Sequence, residues 1–216
     1  MVTESQTHRE FNMPVITYPS GVVGPLPPSP PARYTVAEYH NLIELGAFAT
    51  DERFELIEGW IIPKMPRNPP HDVAVDKSQD AIRPLLPPGW RIRIQSAITT
   101  DDSEPEPDIA IVKGPPDRYG SAHPTSAEIG TLIEIADSTL KFDRGTKGRM
   151  YAAANIAVYW IVNLVDRQVE VYTNPDRAAV EPSYRSRQDY PETDSVPLVI
   201  AGQQAGLVPV RDLLPA

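Results

Sequence analysis

Apolar positions along the chain alternate between helical spacing and a two-residue repeat, and the switches mark the elements. Val36, Tyr39, Leu42, Ile43 and Leu45 recur at roughly helical spacing. They follow Thr35-Val36-Ala37-Glu38, a capping-box pattern with Thr35 as N-cap and Glu38 reaching back. Gly46 is the expected stop. Arg53 to Met65 (RFELIEGWIIPKM) reads as a hairpin turning at Glu58-Gly59. A second helix is predicted from about His71 to Leu86, ending at Pro87-Pro88-Gly89. The middle of the chain turns to strands: Ile92 and Ile94, with Ala97-Ile98 as an extension, then Asp108 to Val112, then Thr131 to Ile135. A helix is expected from about Asp143 to Asn155. Val158 to Leu164 and Gln168 to Thr173 read as strands joined by a tight turn at Asp166-Arg167. Residues 174–195 are polar and read as a loop. A last strand, Pro197 to Ala201, and a terminal turn, Val210 to Leu214, close the pattern. With one strand–helix–strand unit over 131–164, this order predicts an α/β sandwich, a central mixed β-sheet flanked by helices.

Composition narrows the class. The chain has 216 residues, 41% hydrophobic and 23% charged, which suits one domain with an appended tail. Residues 1–32 carry seven prolines and no apolar periodicity, so they read as a flexible N-terminal leader, with residues 33–216 as a single domain. There is no cysteine. That excludes disulfides, thiolate metal sites and cysteine nucleophiles, and it fits a reducing cytoplasm. No export signal or membrane span is expected: Ile156 to Val165, the longest apolar run, is far too short.

Several chemistries are missing. The four histidines are far apart in sequence and form no zinc spacing. No G-x-S-x-G elbow is present. Gly145-Thr146-Lys147-Gly148 is not a phosphate-binding loop pattern.

The informative feature is carboxylates inside apolar strands. Glu134 lies in Leu132-Ile133-Glu134-Ile135-Ala136, Glu55 in Phe54-Glu55-Leu56-Ile57, and Asp108 opens Asp108-Ile109-Ala110-Ile111-Val112. A buried ionised carboxylate is costly unless a cation or several donors compensate it. Strand alternation puts Glu134 on the face of Leu132 and Ala136, and Asp108 on the face of Ala110 and Val112. Two of the acids and the lysine also have structural alternatives: Glu55 pairing with Arg53 or capping a helix, Asp108 as a strand-entry residue, Lys147 as a solvated helix residue. Glu134 is the hardest of them to explain structurally. Taken together, two or three carboxylates and a lysine on adjacent elements make a site for a hard cation, Mg²⁺ or Mn²⁺.

At these residues the chain resembles the PD-(D/E)xK nuclease superfamily, and within it the Uma-two family of restriction-endonuclease-like proteins. The matching pieces, in order, are TVAEY (35–39), RFELIEG (53–59), His71, Gln95, EPDI (106–109), IEIADS (133–138), DRGTKGRMY (143–151) and YWIV (159–162). The likeness spans about residues 34 to 214. One departure stands out: the superfamily lysine lies two residues after the second acid, where this chain has Ala136. The family resemblance maps the lysine to Lys147, with Lys141 as runner-up.

The resemblance implies a restriction-endonuclease-like core and a metal-dependent endonuclease cleaving DNA phosphodiester bonds. It assigns Asp108 and Glu134 as Mg²⁺ ligands, together with the Ile135 carbonyl. Glu55 completes the site and Lys147 attends the attacking water and the phosphate. Gln95 and Arg144 would position water or substrate. Three carboxylates and one lysine leave a charge that one Mg²⁺ neutralises. The net charge of -9 weighs the other way. The leader carries -1, residues 174–195 carry -2 and 196–216 are neutral, so -6 falls on 33–173 and no basic core is concealed. Two competing readings are an inactive nuclease-fold scaffold and a metal-dependent phosphoesterase acting on RNA or another substrate. A homodimer is expected only by analogy, since double-strand cleavage needs two sites.

Overall fold

A computed structural model describes residues 32–48 and 53–216. The expected proline-rich leader, 1–32, lies outside the described residues save for its last position. Helix α1 is Val36–Glu44, and its capping box is present as expected: the Thr35 hydroxyl accepts from the Glu38 N–H at 3.2 Å, and the Glu38 carboxylate takes the Thr35 N–H at 2.8 Å. Strands β1 (Phe54–Ile57) and β2 (Trp60–Pro63) form a hairpin. Its turn residues Glu58 and Gly59 have φ of 50° and 78°, the left-handed pair that a two-residue hairpin turn requires. Helix α2 (Pro69–Ile82) follows, with Asn68 as N-cap and prolines in its first turn, where their missing N–H costs nothing.

The central sheet has six strands: β3 (Trp90–Ile94), β4 (Ile109–Lys113), β5 (Ile129–Ala136), β6 (Val158–Asn163), β7 (Gln168–Asp176) and β8 (Ser183–Pro191), in that spatial order. Only β5 and β6 run parallel. Their connection is helical: α3 (Leu140–Phe142), a π-turn (Asp143–Lys147) and α4 (Gly148–Ala153). A closing hairpin, β9 (Ser195–Ile200) and β10 (Gln203–Pro209), packs beside the sheet.

Alternation along the strands builds two cores. Ile109, Ile111, Ile133, Ile135, Trp160 and Val162 face one side, against α2 and the β9–β10 hairpin. Ala110, Val112, Leu132, Ala136, Tyr159 and Ile161 face the other, with α4. Glu134 therefore points into the second layer, as the period of two requires.

Four expectations fail. The strand holding Ile92 and Ile94 stops at Ile94, where Gln95 turns left-handed with φ of 45°, and does not extend to Ala97-Ile98. Residues 174–195 are not a loop: β7 runs on to Asp176, and β8 pairs with it antiparallel from Gln168↔Pro191 to Asp176↔Ser183. Strand β8 sits at the sheet edge, where polar side chains are compatible with strand structure and discourage edge-to-edge pairing. A second strand, β10, follows the expected last one, through a turn at Ala201-Gly202 with φ of 49° and 77°. The helix expected from Asp143 starts earlier, at Leu140, and opens into a π-turn. Among the described residues no helix is long and apolar enough to cross a membrane.

Candidate active site

Glu55, Asp108, Glu134 and Lys147 come from four separate elements and line one cavity of about 330 Å³. All four are buried. Glu134 projects from β5 beneath the π-turn. Its Oε1 accepts from Lys147 Nζ at 2.8 Å and from the Tyr151 hydroxyl at 2.7 Å. Asp108 stands just before β4. Its Oδ2 accepts the Ile135 N–H at 2.9 Å and lies 3.1 Å from His71 Nε2, while its own N–H reaches Glu134 Oε2 at 3.4 Å. Glu55 on β1 accepts the Glu106 N–H at 2.8 Å, with Lys64 Nζ 3.6 Å away.

The charges are coupled. Burial pushes the Glu134 carboxyl above the ordinary carboxylate range, and the Lys147 ammonium pulls against it. Burial also opposes the ammonium of Lys147, but Glu134, Glu55 and Asp143 together hold it above its usual range. Burial would raise Asp108, yet hydrogen bonds from His71 and the Ile135 N–H, with the charge of Lys147, keep it low. His71 is desolvated, but Asp108 and Asp72 more than offset this and raise it.

Gln95 is also brought to the site. It follows β3 with φ of 45°, a left-handed conformation unusual for glutamine. Its N–H donates to the Asp108 carbonyl at 3.0 Å and its Nε2 reaches Asp108 Oδ1 at 3.4 Å, while its Oε1 accepts from Arg67. Arg144 is not brought to the site. It leaves the π-turn on another side, where it pairs with the buried Glu170 and with Asp166. Standing beside the cavity-lining Asp143 in sequence does not bring it to the cavity, because successive helical residues face apart. Lys141 is exposed and lines no part of the cavity, in contrast to Lys147.

The cavity residues that carried no role in the sequence reading include His71, Lys64, Arg67 and Asp143. Two had a legible signal. Asp143 and Lys147 stand four apart, the spacing of helical neighbours, and His71 sits in the first turn of α2 behind its Asn68 cap. Nothing local marks Lys64 or Arg67, which reach the cavity from the Pro-rich link between β2 and α2.

The donor set fits a hard divalent cation in chemistry: carboxylate oxygens, with no sulfur. Six carboxylates line the cavity against three lysine and arginine cations. The acids stay in excess even with His71 charged, so the cavity repels anions and attracts cations. Among the described residues, no three His, Cys, Asp or Glu side chains are already gathered into a metal-holding cluster. In this arrangement the Lys147 ammonium holds Glu134 Oε1, and the Ile135 N–H holds Asp108 Oδ2.

Comparison with known proteins follows the same lines. A search of curated proteins gives no match. Among solved structures, a "putative nuclease belonging to DUF820" from Anabaena variabilis matches with a TM-score of 0.60 at 19% identity, over 80% of this chain and 96% of that one. The likeness is one of fold, a mixed sheet with flanking helices. The model of the Uma2 family, described as "Putative restriction endonuclease", matches residues 36–209, from the first helix to the end of β10. The chain therefore belongs to the Uma2 family of restriction-endonuclease-like proteins.

Proposed function

We propose that this protein is a divalent-cation-dependent endonuclease that hydrolyses DNA phosphodiester bonds, with Mg²⁺ as the working ion and Mn²⁺ able to replace it. One observation carries the reading: Glu55, Asp108, Glu134 and Lys147, spread over 93 positions of sequence, line one cavity. The excess of acids over bases in that cavity supports a cation cofactor, and the family's description supports nuclease chemistry.

Asp108 and Glu134 would hold the ion, with Glu55 completing the oxygen set. A bound divalent cation supplies a polarised phosphoryl oxygen and a water of lowered pKa. The protein's own groups do the rest. Tyr151 fixes the rotamer of Glu134 through its 2.7 Å hydrogen bond. His71 and the Ile135 N–H fix Asp108 from two sides. Such partners behind a ligand set its orientation and basicity. Lys147 offers a compact positive charge to the phosphate and orients the attacking water. Gln95, tied to both ends of Asp108, holds a second water donor or acceptor near the reacting group. Cleavage of both strands needs two such sites, which a homodimer supplies.

The test is calorimetric titration of Mn²⁺ into wild type and Glu134→Ala, followed by cleavage assays on supercoiled DNA, linear DNA and RNA. Binding in wild type, lost in Glu134→Ala, with nicked or cut DNA supports the proposal. Binding with RNA cleavage alone moves the substrate class. A wild type that binds no cation and cuts nothing leaves the nuclease-fold scaffold as the reading.

A further inference from the structure

The π-turn holds an acid that the reading above does not use. Asp143 is 2% exposed, lines the cavity, and has an Oδ2 atom without a hydrogen-bond partner among the described residues. Its backbone is fixed at both ends. The N–H donates to the Thr139 carbonyl at 3.0 Å, and the carbonyl accepts from the Tyr159 hydroxyl at 3.1 Å and from the Gly148 N–H. A buried carboxylate oxygen with no donor costs stability. A residue held this firmly with that oxygen unsatisfied has a partner to gain. π-turns inside helices are often found at functional sites. Lys147 stands four residues on, its Nζ 3.8 Å from Asp143 Oδ1 and 2.8 Å from Glu134 Oε1.

We propose that Asp143 is a positioning residue that receives the Lys147 ammonium when a divalent cation takes Glu134. The inference rests on the cation-site reading above. As the chain stands, Lys147 holds one oxygen of Glu134, and a cation at that carboxylate would be repelled by the ammonium. Moving Nζ from Glu134 to Asp143 transfers the ion pair from one buried carboxylate to another, so neither the lysine nor either acid is left uncompensated. The negative charges of Glu55 and Asp108 also act on this ammonium. The lysine thus remains beside the incoming phosphate instead of swinging to solvent. No bond is made or broken in this step. The alternative is that Asp143 binds the cation itself.

The test is a double-mutant cycle on Mn²⁺ affinity, read by calorimetry on four full-length proteins: wild type, Asp143→Asn, Lys147→Met and the double variant. Asp143→Asn is expected to weaken Mn²⁺ binding at least about tenfold when Lys147 is present, and by about twofold or less once Lys147→Met has removed the ammonium. Equal losses in both backgrounds overturn the proposal, since Asp143 then acts as a ligand in its own right. No loss in either background overturns it as well. A wild type that binds no Mn²⁺ overturns the cation-site reading and this proposal together, whereas binding with equal losses overturns this one alone. A second measurement needs no variant: reductive dimethylation of wild-type Lys147, followed by mass spectrometry with and without saturating Mg²⁺. Continued protection supports transfer to Asp143. Labelling as fast as the exposed Lys141 once Mg²⁺ is added means the lysine has been expelled to solvent, and overturns it.

Discussion

Lys147 and Glu134 form a 2.8 Å ion pair in which both partners are buried, with 8% and 2% of their surfaces exposed. Both charges have given up hydration, so each depends on the other. Removing one partner of a buried pair typically costs about 3 to 5 kcal/mol, because the remaining charge is left uncompensated. Lys147→Met is expected to lower unfolding free energy by about 3 kcal/mol, seen as a shift in urea midpoint. Saturating Mg²⁺ should recover more stability in this variant than in wild type, since a ligand that binds only the folded state stabilises by mass action and no ammonium competes for Glu134. A midpoint that barely moves would place the pair among solvent-screened contacts.

Arg144 is expected to act as an anchor for the π-turn, and its partner makes this visible as pH dependence. Glu170 is fully buried on β7. Burial would raise its carboxyl, but hydrogen bonds from Arg144, Asn163 and Tyr172, with the charge of Arg187, prevail and hold it at about 2, against an ordinary value of 4.5. A carboxyl depressed in the folded state stabilises fully above the unfolded pKa, and that contribution is lost as pH falls through the folded value. The shift corresponds to about 3 kcal/mol. Urea unfolding at pH 6, 4 and 2.5 should show this loss setting in below about pH 4.5. Glu170→Gln should start from lower stability at pH 6 and lose less on acidification. Parallel curves for the two proteins would remove Glu170 as the titrating group.

Much of this site was legible because its signals are local. An acid within an apolar strand, as at Glu134 and Glu55, conflicts with its surroundings whatever the fold, and the two-residue period already gives its face. The Thr35–Glu38 box and the Glu58-Gly59 turn are short-range patterns and appear where the sequence puts them. The misses are non-local. Strand β8 is polar because its outer edge meets solvent, and its half-buried Tyr184 and Tyr190 are too sparse to signal a strand. Arg144 and Lys147 are three apart in one basic run, yet one leaves for Glu170 and the other enters the cavity. That division depends on the π-turn, which no spacing rule foresees. Lys64 and Arg67 owe their position to the path of a proline-rich link over the site.

Strand β5 carries Glu134, and its packing sets a stability test away from the chemistry. Gly130 lies where a Cβ would stand 2.8 Å from Ile200 Cγ2 and 2.8 Å from Trp90 Cζ3. Both neighbours belong to other strands, β9 and β3, so the glycine is the close-approach point between the sheet and the closing hairpin. Gly130→Ala forces one of them to shift and is expected to cost about 2 kcal/mol, in the range of other overpacked cores. Pairing it with Ile200→Val removes one of the colliding groups and should recover part of that loss. Thermal melts of the three proteins check it, and an additive double variant would locate the strain elsewhere.

Gln95 offers a prediction with opposite signs for stability and function. Its φ of 45° is a strained conformation for any residue with a Cβ, and strain of this kind concentrates where surrounding structure over-determines it. Here the backbone N–H is committed to the Asp108 carbonyl, and the side chain links Arg67 to Asp108. Gln95→Gly relieves the backbone and keeps the main-chain hydrogen bond, so unfolding free energy should hold or rise by up to about 1 kcal/mol. The same change removes a hydrogen-bond partner from Asp108 and leaves Arg67 unanchored. Outer partners of a cation ligand typically contribute a factor of 10 to 100, so Mn²⁺ affinity is expected to fall about tenfold. Urea denaturation and calorimetry on one preparation read both effects. A variant that loses stability and affinity together would make Gln95 a packing residue, whereas stability gained with affinity lost would show that the left-handed turn after β3 is maintained for the carboxylate it faces.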